Sequence, residues 1–160
     1  MRLEHKKLFE FLTDWQLMGL CIEREASGES YEGRVAVGTV ILERVDHRDW
    51  DGKTIQEVIL KSWQFSWTME EAGKSYYEES VRIAANWVDE YRKREDLQVC
   101  CLIATGMIQD SIPRDPDLAV VHCCQYLNPN ASKNAAKTKE KWLVAGMKVI
   151  KSIGHHEFFV

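Results

Sequence analysis

The stretch from residue 13 to residue 33, TDWQLMGLCIEREASGESYEG, predicts two consecutive helices joined by a short turn. Thr13 and Gln16 have the spacing of a capping box, so the first helix is expected to begin there. Gly28 interrupts the helical pattern, and Ser30 is suited to cap a second helix that runs to about Val45. Both helices carry enough apolar residues to lie in a core.

Glu25 is an anomaly on the apolar face of the first helix. At about 100° per residue it falls between Met18 and Cys21, whereas Glu23 points to the opposite side and is expected in solvent. Partial burial raises the pKa of a carboxyl group, as a general acid working near neutral pH requires. Glu25 is therefore a candidate catalytic acid, and the alternative is that it ends an amphipathic helix without a chemical role.

The rest of the chain predicts a mainly helical α+β domain. The second helix is apolar on most sides and should be central. A loop is expected over 46–53 and another around Pro113 and Pro116. Further helices are predicted to begin at Thr54 and to cover 75–94, 97–108 and 133–150, with short extended pieces at 119–127 and 157–160.

Composition limits the possible function classes. A chain of 160 residues with 45% hydrophobic content fits a single domain, 1–160. A net charge of -4 does not favour nucleic-acid binding, and the late lysines are typical of a solvated helix face. No apolar run is long enough to span a bilayer, and the N-terminus has no apolar signal-peptide core, so we expect synthesis in the cytoplasm without a signal.

The five cysteines do not form a pattern typical of disulfides. Their count is odd and they include two adjacent pairs, so reduced, buried thiols are expected. A zinc site would have to combine Cys123 or Cys124 with His122, His155 and His156, but these lack the usual ligand spacings. We therefore expect no metal and no cofactor.

Four separated motifs resemble one known family. They occur in a fixed order: REASGESYEG at 24–33, QFSW at 64–67, YLNP at 126–129 and IGHHEFF at 153–159. Together they are similar to the motifs of the SleB-like cell-wall hydrolases, which are spore cortex-lytic enzymes and phage lytic proteins. The resemblance runs from about residue 15 to the C-terminus.

The resemblance implies a lysozyme-like catalytic domain that cleaves the β-1,4 bond between N-acetylmuramic acid and N-acetylglucosamine in peptidoglycan. It places the family's catalytic glutamate on Glu25, the same residue that the helical pattern singles out. Many members are lytic transglycosylases in which one carboxyl group acts first as acid and then as base. Glu29 is the candidate second carboxylate if the enzyme is instead a muramidase that uses water, and its alternative role is to stabilise the start of the second helix.

Side chains suited to a sugar-binding cleft occur in the other motifs. Amide, hydroxyl and aromatic groups bind sugar hydroxyls and pyranose faces. Core packing is the less favoured alternative for Trp67, whereas Tyr126 and His156 could equally be hydrogen-bonded core residues. The predicted substrate-binding residues are Gln64, Ser66, Trp67, Gln125, Tyr126 and His156.

Three positions depart from the family's pattern. Relatives commonly have His where this chain has Gln125, Gly where it has Arg24, and Tyr where it has Phe159. The alternative to an active enzyme is therefore a degenerate member that binds glycan strands or serves as a structural virion protein. For the active form, the resemblance to phage endolysins implies a monomer that reaches the wall through a holin pore or on a virion.

Overall fold

The computed structural model describes residues 1–48 and 52–160 as a helical body with a small sheet near the C-terminus, the predicted α+β fold. The helices are α1 Leu3–Glu10, α2 Asp14–Glu25, α3 Tyr31–His47, α4 Ile55–Leu60, α5 Lys74–Ala85, α6 Trp87–Lys93, α7 Glu95–Ile108, α8 Pro116–Ala119 and α9 Lys133–Val144. Short 3-10 helices cover Ser66–Thr68 and Glu70–Ala72, and the strands are β1 Gln125–Leu127, β2 Val149–Ile153 and β3 His156–Phe159.

The predicted helix starts are confirmed by their caps. The Thr13 backbone N–H donates to Gln16 Oε1 at 2.9 Å in a capping box at the start of α2. Ser30 Oγ accepts from the Gly33 N–H at 3.3 Å at the start of α3, and Thr54 accepts from the Glu57 N–H at 3.1 Å at the start of α4. These caps place the turn at Gly28 between the two longest core-forming segments of the N-terminal half.

Helices α2 and α3 lie at the centre of the core. Helix α2 packs against α3, α4 and α7, and at Gly19 it comes so close to α7 that a Cβ would lie 2.5 Å from Cys101 Sγ. In α3, Val37 and Ile41 are fully buried in the main core, whereas Val40 is buried in a second cluster with Leu118 and Phe158. The two faces of α3 therefore join the helical body to the sheet.

The antiparallel sheet has the order β1-β3-β2. Tyr126 in β1 pairs with Phe158 in β3, and Phe158 and Phe159 have no exposed surface. Trp142 of α9 packs edge-on against Phe159, with ring centroids 5.2 Å apart. This packing fixes β1 against the helical body beside the end of α2.

Several predicted element bounds are wrong. The predicted helix 75–94 breaks at Asn86, where the backbone leaves helical geometry between α5 and α6. The helix predicted to reach residue 150 ends at Val144, since Gly146 has a φ of +91° and β2 follows. Only residues 125–127 of the predicted extended segment 119–127 form a strand, and α1 was not predicted.

The expectation for the loop over 46–53 is only partly tested. His47 still belongs to α3, and part of the predicted loop, residues 49–51, lies outside the described residues.

The prediction that Glu23 faces solvent is wrong, because the residue is only 8% exposed. Helix α7 covers that side of α2, and Arg24 Nη1 lies 3.5 Å from Glu23 Oε2. Burial raises the pKa of Glu23, against the opposing charge of Arg24. The helical wheel cannot anticipate this burial because it contains no information about neighbouring helices.

The five cysteines are all buried and unbridged, as predicted. Among the described helices, none combines the length and apolar character needed to cross a membrane.

Candidate active site

A cleft with a volume of about 540 Å³ opens beside the C-terminal end of α2. The turn after α2, the segment before the first 3-10 helix, strand β1 and the β2–β3 turn all contribute to its walls. The cleft brings together these sequence-predicted residues: Glu25, Glu29, Gln64, Ser66, Tyr126 and His156.

Glu25 is the last residue of α2 and is partly buried in the cleft. The Tyr126 hydroxyl donates a hydrogen bond to Glu25 Oε2 at 3.1 Å. The other oxygen, Oε1, is buried and has no hydrogen-bond partner within the part of the chain that is described. Burial raises the pKa of Glu25 to about 7, and the Tyr126 hydrogen bond and the charge of Arg44 offset only part of this effect. Glu25 can therefore hold or release a proton near neutral pH.

Arg44 is a buried cation near Glu25, and no sequence motif singles it out. It belongs to α3, and its Nε donates to the Cys124 carbonyl oxygen at 2.9 Å. Its Nη1 is buried and unpartnered among residues 1–48 and 52–160. Arg44 also lines the cleft, so a bound ligand is able to accept a hydrogen bond from it.

Arg24 is held at the rim of the same cleft by several contacts. Its Nη2 donates to Glu79 at 3.0 Å, and its guanidinium lies 3.8 Å from the centre of the Tyr76 ring. The Tyr76 hydroxyl donates to the Arg24 carbonyl oxygen. Arg24 stands where the resemblance implies a glycine, and its side chain is accommodated by ion pairing and by a cation–π contact.

Glu29 is buried and hydrogen-bonded to the turn between β2 and β3. Its Oε1 lies 2.8 Å from His155 Nδ1 and accepts from the His155 backbone N–H at 3.1 Å. Burial by itself would raise the pKa of Glu29. The hydrogen bonds from His155 and the electrostatic attraction of His156 and His155 outweigh burial, so the pKa is lowered. Glu29 is therefore a carboxylate held in a structural hydrogen-bond network.

Tyr126 and His156 form one aromatic wall of the cleft. Their rings meet edge to face with centroids 5.3 Å apart. His156 is 6% exposed, and burial lowers its pKa against the opposing effect of Glu29. His156 is thus a neutral imidazole at pH 7.

Two predicted substrate contacts lie outside the cleft. Trp67 has no exposed surface and packs edge-on against Phe9 in the core, so its predicted role in sugar binding is wrong in this conformation. Gln125 precedes Tyr126 on β1, and successive side chains of a strand point to opposite faces. In the orientation that satisfies its amide, the Gln125 oxygen accepts from Arg48 at 2.9 Å, away from the cleft.

Trp63 is an aromatic cleft residue that the sequence analysis missed. Its side chain lies at the rim, the residue is 76% exposed, and its φ is +69°. The alternation of Trp63, Phe65 and Trp67 was visible in the sequence, but nothing in that pattern distinguishes the exposed ring from the two buried rings.

Comparisons with known proteins agree with this architecture. The chain is similar to the catalytic domain of the germination-specific lytic transglycosylase SleB from Bacillus anthracis, at 25% identity and a TM-score of 0.57, over 91% of this chain and 92% of that chain. It is also similar to the catalytic domain of the Bacillus cereus SleB protein, at 26% identity and a TM-score of 0.52, over 91% and 88%. These similarities confirm the predicted lysozyme-like, mainly helical catalytic fold. No curated protein matches the chain significantly.

The family assignment rests on most of the chain. A family model described as Cell Wall Hydrolase matches residues 28–159. Three of the four motifs lie entirely within this range, whereas Glu25 precedes it and is singled out by its geometry. The protein belongs to the cell wall hydrolase family and is a cell-wall lytic enzyme.

Proposed function

We propose that this enzyme is a lytic transglycosylase that cleaves the β-1,4 bond between N-acetylmuramic acid and N-acetylglucosamine, with Glu25 as its acid and base. One observation carries the proposal: the carboxyl group of Glu25, with a pKa of about 7, lines the cleft, whereas the second carboxyl in the cleft, Glu29, already accepts hydrogen bonds from His155. The similarity to a protein named a lytic transglycosylase supports the same reaction class.

In the proposed reaction Glu25 acts twice. Its protonated form gives a proton to the glycosidic oxygen as the bond from that oxygen to C1 of the muramoyl sugar breaks. The resulting carboxylate then accepts the proton of the C6 hydroxyl as O6 bonds to C1 and closes a 1,6-anhydro ring. Glu25 gives up one proton and regains one, so it ends the reaction in its starting protonation state, and no water is consumed. The usual second carboxylate of a glycosidase is therefore not needed.

The surroundings of Glu25 suit both protonation states. Burial favours the neutral acid before the reaction, while the Tyr126 hydroxyl and the Arg44 charge stabilise the carboxylate that forms. We propose that a bound glycan supplies the missing partner for Glu25 Oε1. Polar groups of Gln64 and Ser66 line the same cleft and are suited to bind sugar hydroxyl or acetamido groups.

The muramidase alternative requires Glu29 either to activate water or to attack C1 of the sugar as a nucleophile. The Glu29 carboxylate makes two contacts with His155, and only 5% of the Glu29 side chain is exposed. A base in that position would have to give up hydrogen bonds that lower its own pKa. The geometry therefore favours the single-carboxyl reaction, and the degenerate glycan-binding protein remains an outcome of the experiment below.

Mass spectrometry of soluble products from purified peptidoglycan tests the reaction. The expected products end in 1,6-anhydro-muramic acid and are one water lighter than hydrolytic products. Glu29→Gln should release the same anhydro products, since Glu29 takes no part in the proposed chemistry. Reducing-end muramic acid would assign a muramidase, and binding to peptidoglycan without any release would assign a glycan-binding or structural protein.

Trp63 is proposed to pack on a sugar ring at the rim of the cleft. An aromatic contact of this kind contributes about 0.5–1.5 kcal/mol, so Trp63→Ala should raise KM for soluble glycan chains roughly two- to tenfold and leave kcat nearly unchanged. Phe11→Ala is the matched control, because Phe11 is 86% exposed but does not line the cleft. Equal KM values for the two variants would remove Trp63 from the substrate site.

The pH dependence should follow the proton on Glu25. Activity is expected to fall above pH 7 as the acid form is lost. Tyr126→Phe removes a hydrogen bond that lowers the pKa of Glu25, so the alkaline limb of the kcat/KM profile should move to higher pH. Tyr77→Phe is the control, since Tyr77 is buried away from the cleft beside His5. An unchanged limb in Tyr126→Phe would contradict the assignment of that limb to Glu25.

Delivery to the wall is a separate proposal. The family acts on the cell wall, and we propose that this protein reaches its peptidoglycan substrate as a monomer, as an endolysin released through a holin pore or as a component of a virion. Lysis that depends on co-expression of a holin would support the first route.

A further inference from the structure

A second cluster of reactive side chains lies between α3 and the turn before β1. It consists of Glu43, His47 and His122, and none of the three lines the cleft. Glu43 and His47 are one helical turn apart on α3, whereas His122 follows α8. Two imidazoles and a carboxylate, contributed by two separate segments, are the donor types that bind zinc and related transition metals.

The distances within the cluster fit a tetrahedral ion. His122 Nδ1 lies 3.0 Å from Glu43 Oε2, and His47 Nε2 lies 3.4 Å from the same oxygen. Ligands about 2.0–2.1 Å from a tetrahedral zinc ion are roughly 3.3 Å from one another. The three donor atoms all lie within 4.8 Å of one another. The two rings have centroids 3.8 Å apart with an angle of 37° between their planes, so both rings have to turn for their nitrogens to bind one ion.

The groups around the cluster orient Glu43 for this role. Its side chain is 3% exposed, and Arg114 Nη1 binds the other oxygen, Oε1, at 2.7 Å. Arg114 Nη2 also pairs with Asp46 at 2.6 Å, so its charge is shared between two carboxylates. An outer partner on the unused carboxylate oxygen fixes the orientation of a metal ligand.

The backbone at His122 lies in the left-handed region. Its φ is +50°, which is uncommon for a residue with a Cβ. The side chains of His47 and His122 are 40% and 57% exposed, so an ion can enter from solvent and keep an open coordination position.

We propose that Glu43, His47 and His122 form a binding site for a divalent transition metal of the zinc type. The ion joins the C-terminal end of α3 to the segment that leads into β1, the strand that carries Tyr126. It lies outside the catalytic cleft and takes no part in the proposed glycan chemistry. Its effect is to stabilise the packing of β1 against the helical body.

Calorimetric titration of the untagged, chelator-treated and dialysed protein with zinc chloride tests the site. We expect one Zn²⁺ per chain and a rise in Tm with Zn²⁺ concentration. His47→Gln and His122→Asn should each lower the affinity at least tenfold. Asparagine is chosen at position 122 because it tolerates positive φ, and His5→Gln is the control outside the cluster.

Cobalt provides an independent readout of geometry. Co²⁺ bound to the wild-type protein should give the visible absorption of a tetrahedral site, and this absorption should be lost in both cluster variants. Circular dichroism establishes whether the variants are folded. The two substitutions lie on separate segments of the chain, so a single local folding defect would not explain a loss of metal binding in both variants. No saturable Zn²⁺ binding, or binding of equal strength in wild type and both variants, would overturn the proposal.

Discussion

Glu25→Gln is expected to abolish release of soluble muropeptides, with a rate loss of at least about 10²–10³-fold. Glutamine has nearly the same shape, and its amide oxygen can still accept the Tyr126 hydrogen bond, but it cannot give a proton to the glycosidic oxygen. Peptidoglycan binding should persist, because the cleft keeps its shape. The measurement is product release together with co-sedimentation on insoluble peptidoglycan.

Stability distinguishes the loss of a proton donor from the loss of the fold. Glu25 has a folded-state pKa of about 7 against an ordinary value of 4.5. Between these values the folded protein keeps a proton that the unfolded chain has released, so the free energy of unfolding falls as pH rises from 4.5 to 7. Glu25→Gln has no carboxyl group to titrate at this position and therefore avoids this loss of stability. The variant should be more stable than wild type by up to about 3 kcal/mol at pH 8, and by much less at pH 4.

Glu23→Gln is a matched control on the same helix. Glu23 is also buried and its pKa is also raised, but it does not line the cleft. We expect this variant to keep lytic activity within a few-fold of wild type. Full activity of Glu25→Gln would remove Glu25 as the catalyst, and inactivity of both variants would point to damage of α2.

The features that depend on local chain geometry were predictable from the sequence. Thr13, Ser30 and Thr54 act as helix caps through contacts three residues away, so spacing alone locates them. The position of Glu25 on the apolar stripe follows from the helical repeat, and its raised pKa agrees with that position. The helical wheel correctly placed Glu25 on a buried side of α2, because that side also carries core residues.

The features that depend on packing between distant segments were not predictable. Glu23 is buried by α7, which lies about 70 residues further along the chain. Trp63 and Trp67 are similar in sequence context, yet one is exposed at the cleft and the other is in the core. Gln125 was selected with Tyr126 by their shared motif, but their positions on a strand direct them to opposite faces.

The function of Glu29 illustrates the same limit. Its position just past the turn made it a natural second carboxylate, and only the return of the chain at His155 shows that it is already bound. The residue that permits this contact is Gly154, which has a φ of +55°. A Cβ at Gly154 would lie 1.6 Å from Glu29 Oε2. Gly33 of α3 also packs closely against Glu29, because a Cβ there would lie 3.1 Å from Glu29 Cβ.

Gly154→Ala is therefore expected to destabilise the protein by about 2–5 kcal/mol. The left-handed backbone costs about 1–2 kcal/mol for a residue with a Cβ. The new methyl group also displaces a buried carboxylate from the His155 N–H, and an unsatisfied buried group costs about 1–3 kcal/mol. Urea unfolding at pH 7 measures the sum, and Gly28→Ala separates its parts, because Gly28 has a φ of +78° but no atom within 4 Å of a Cβ.

Gly28→Ala should cost only about 1–2 kcal/mol, the backbone contribution alone. The excess in Gly154→Ala should largely disappear when Glu29 is also replaced by Ala, because the colliding carboxylate is then absent. The two substitutions are thus expected to be strongly non-additive, as for residues in direct contact. If Gly154→Ala costs no more than Gly28→Ala, or if its effect simply adds to that of Glu29→Ala, then Glu29 is not held in the turn as the geometry indicates, and a catalytic role for this carboxylate regains support.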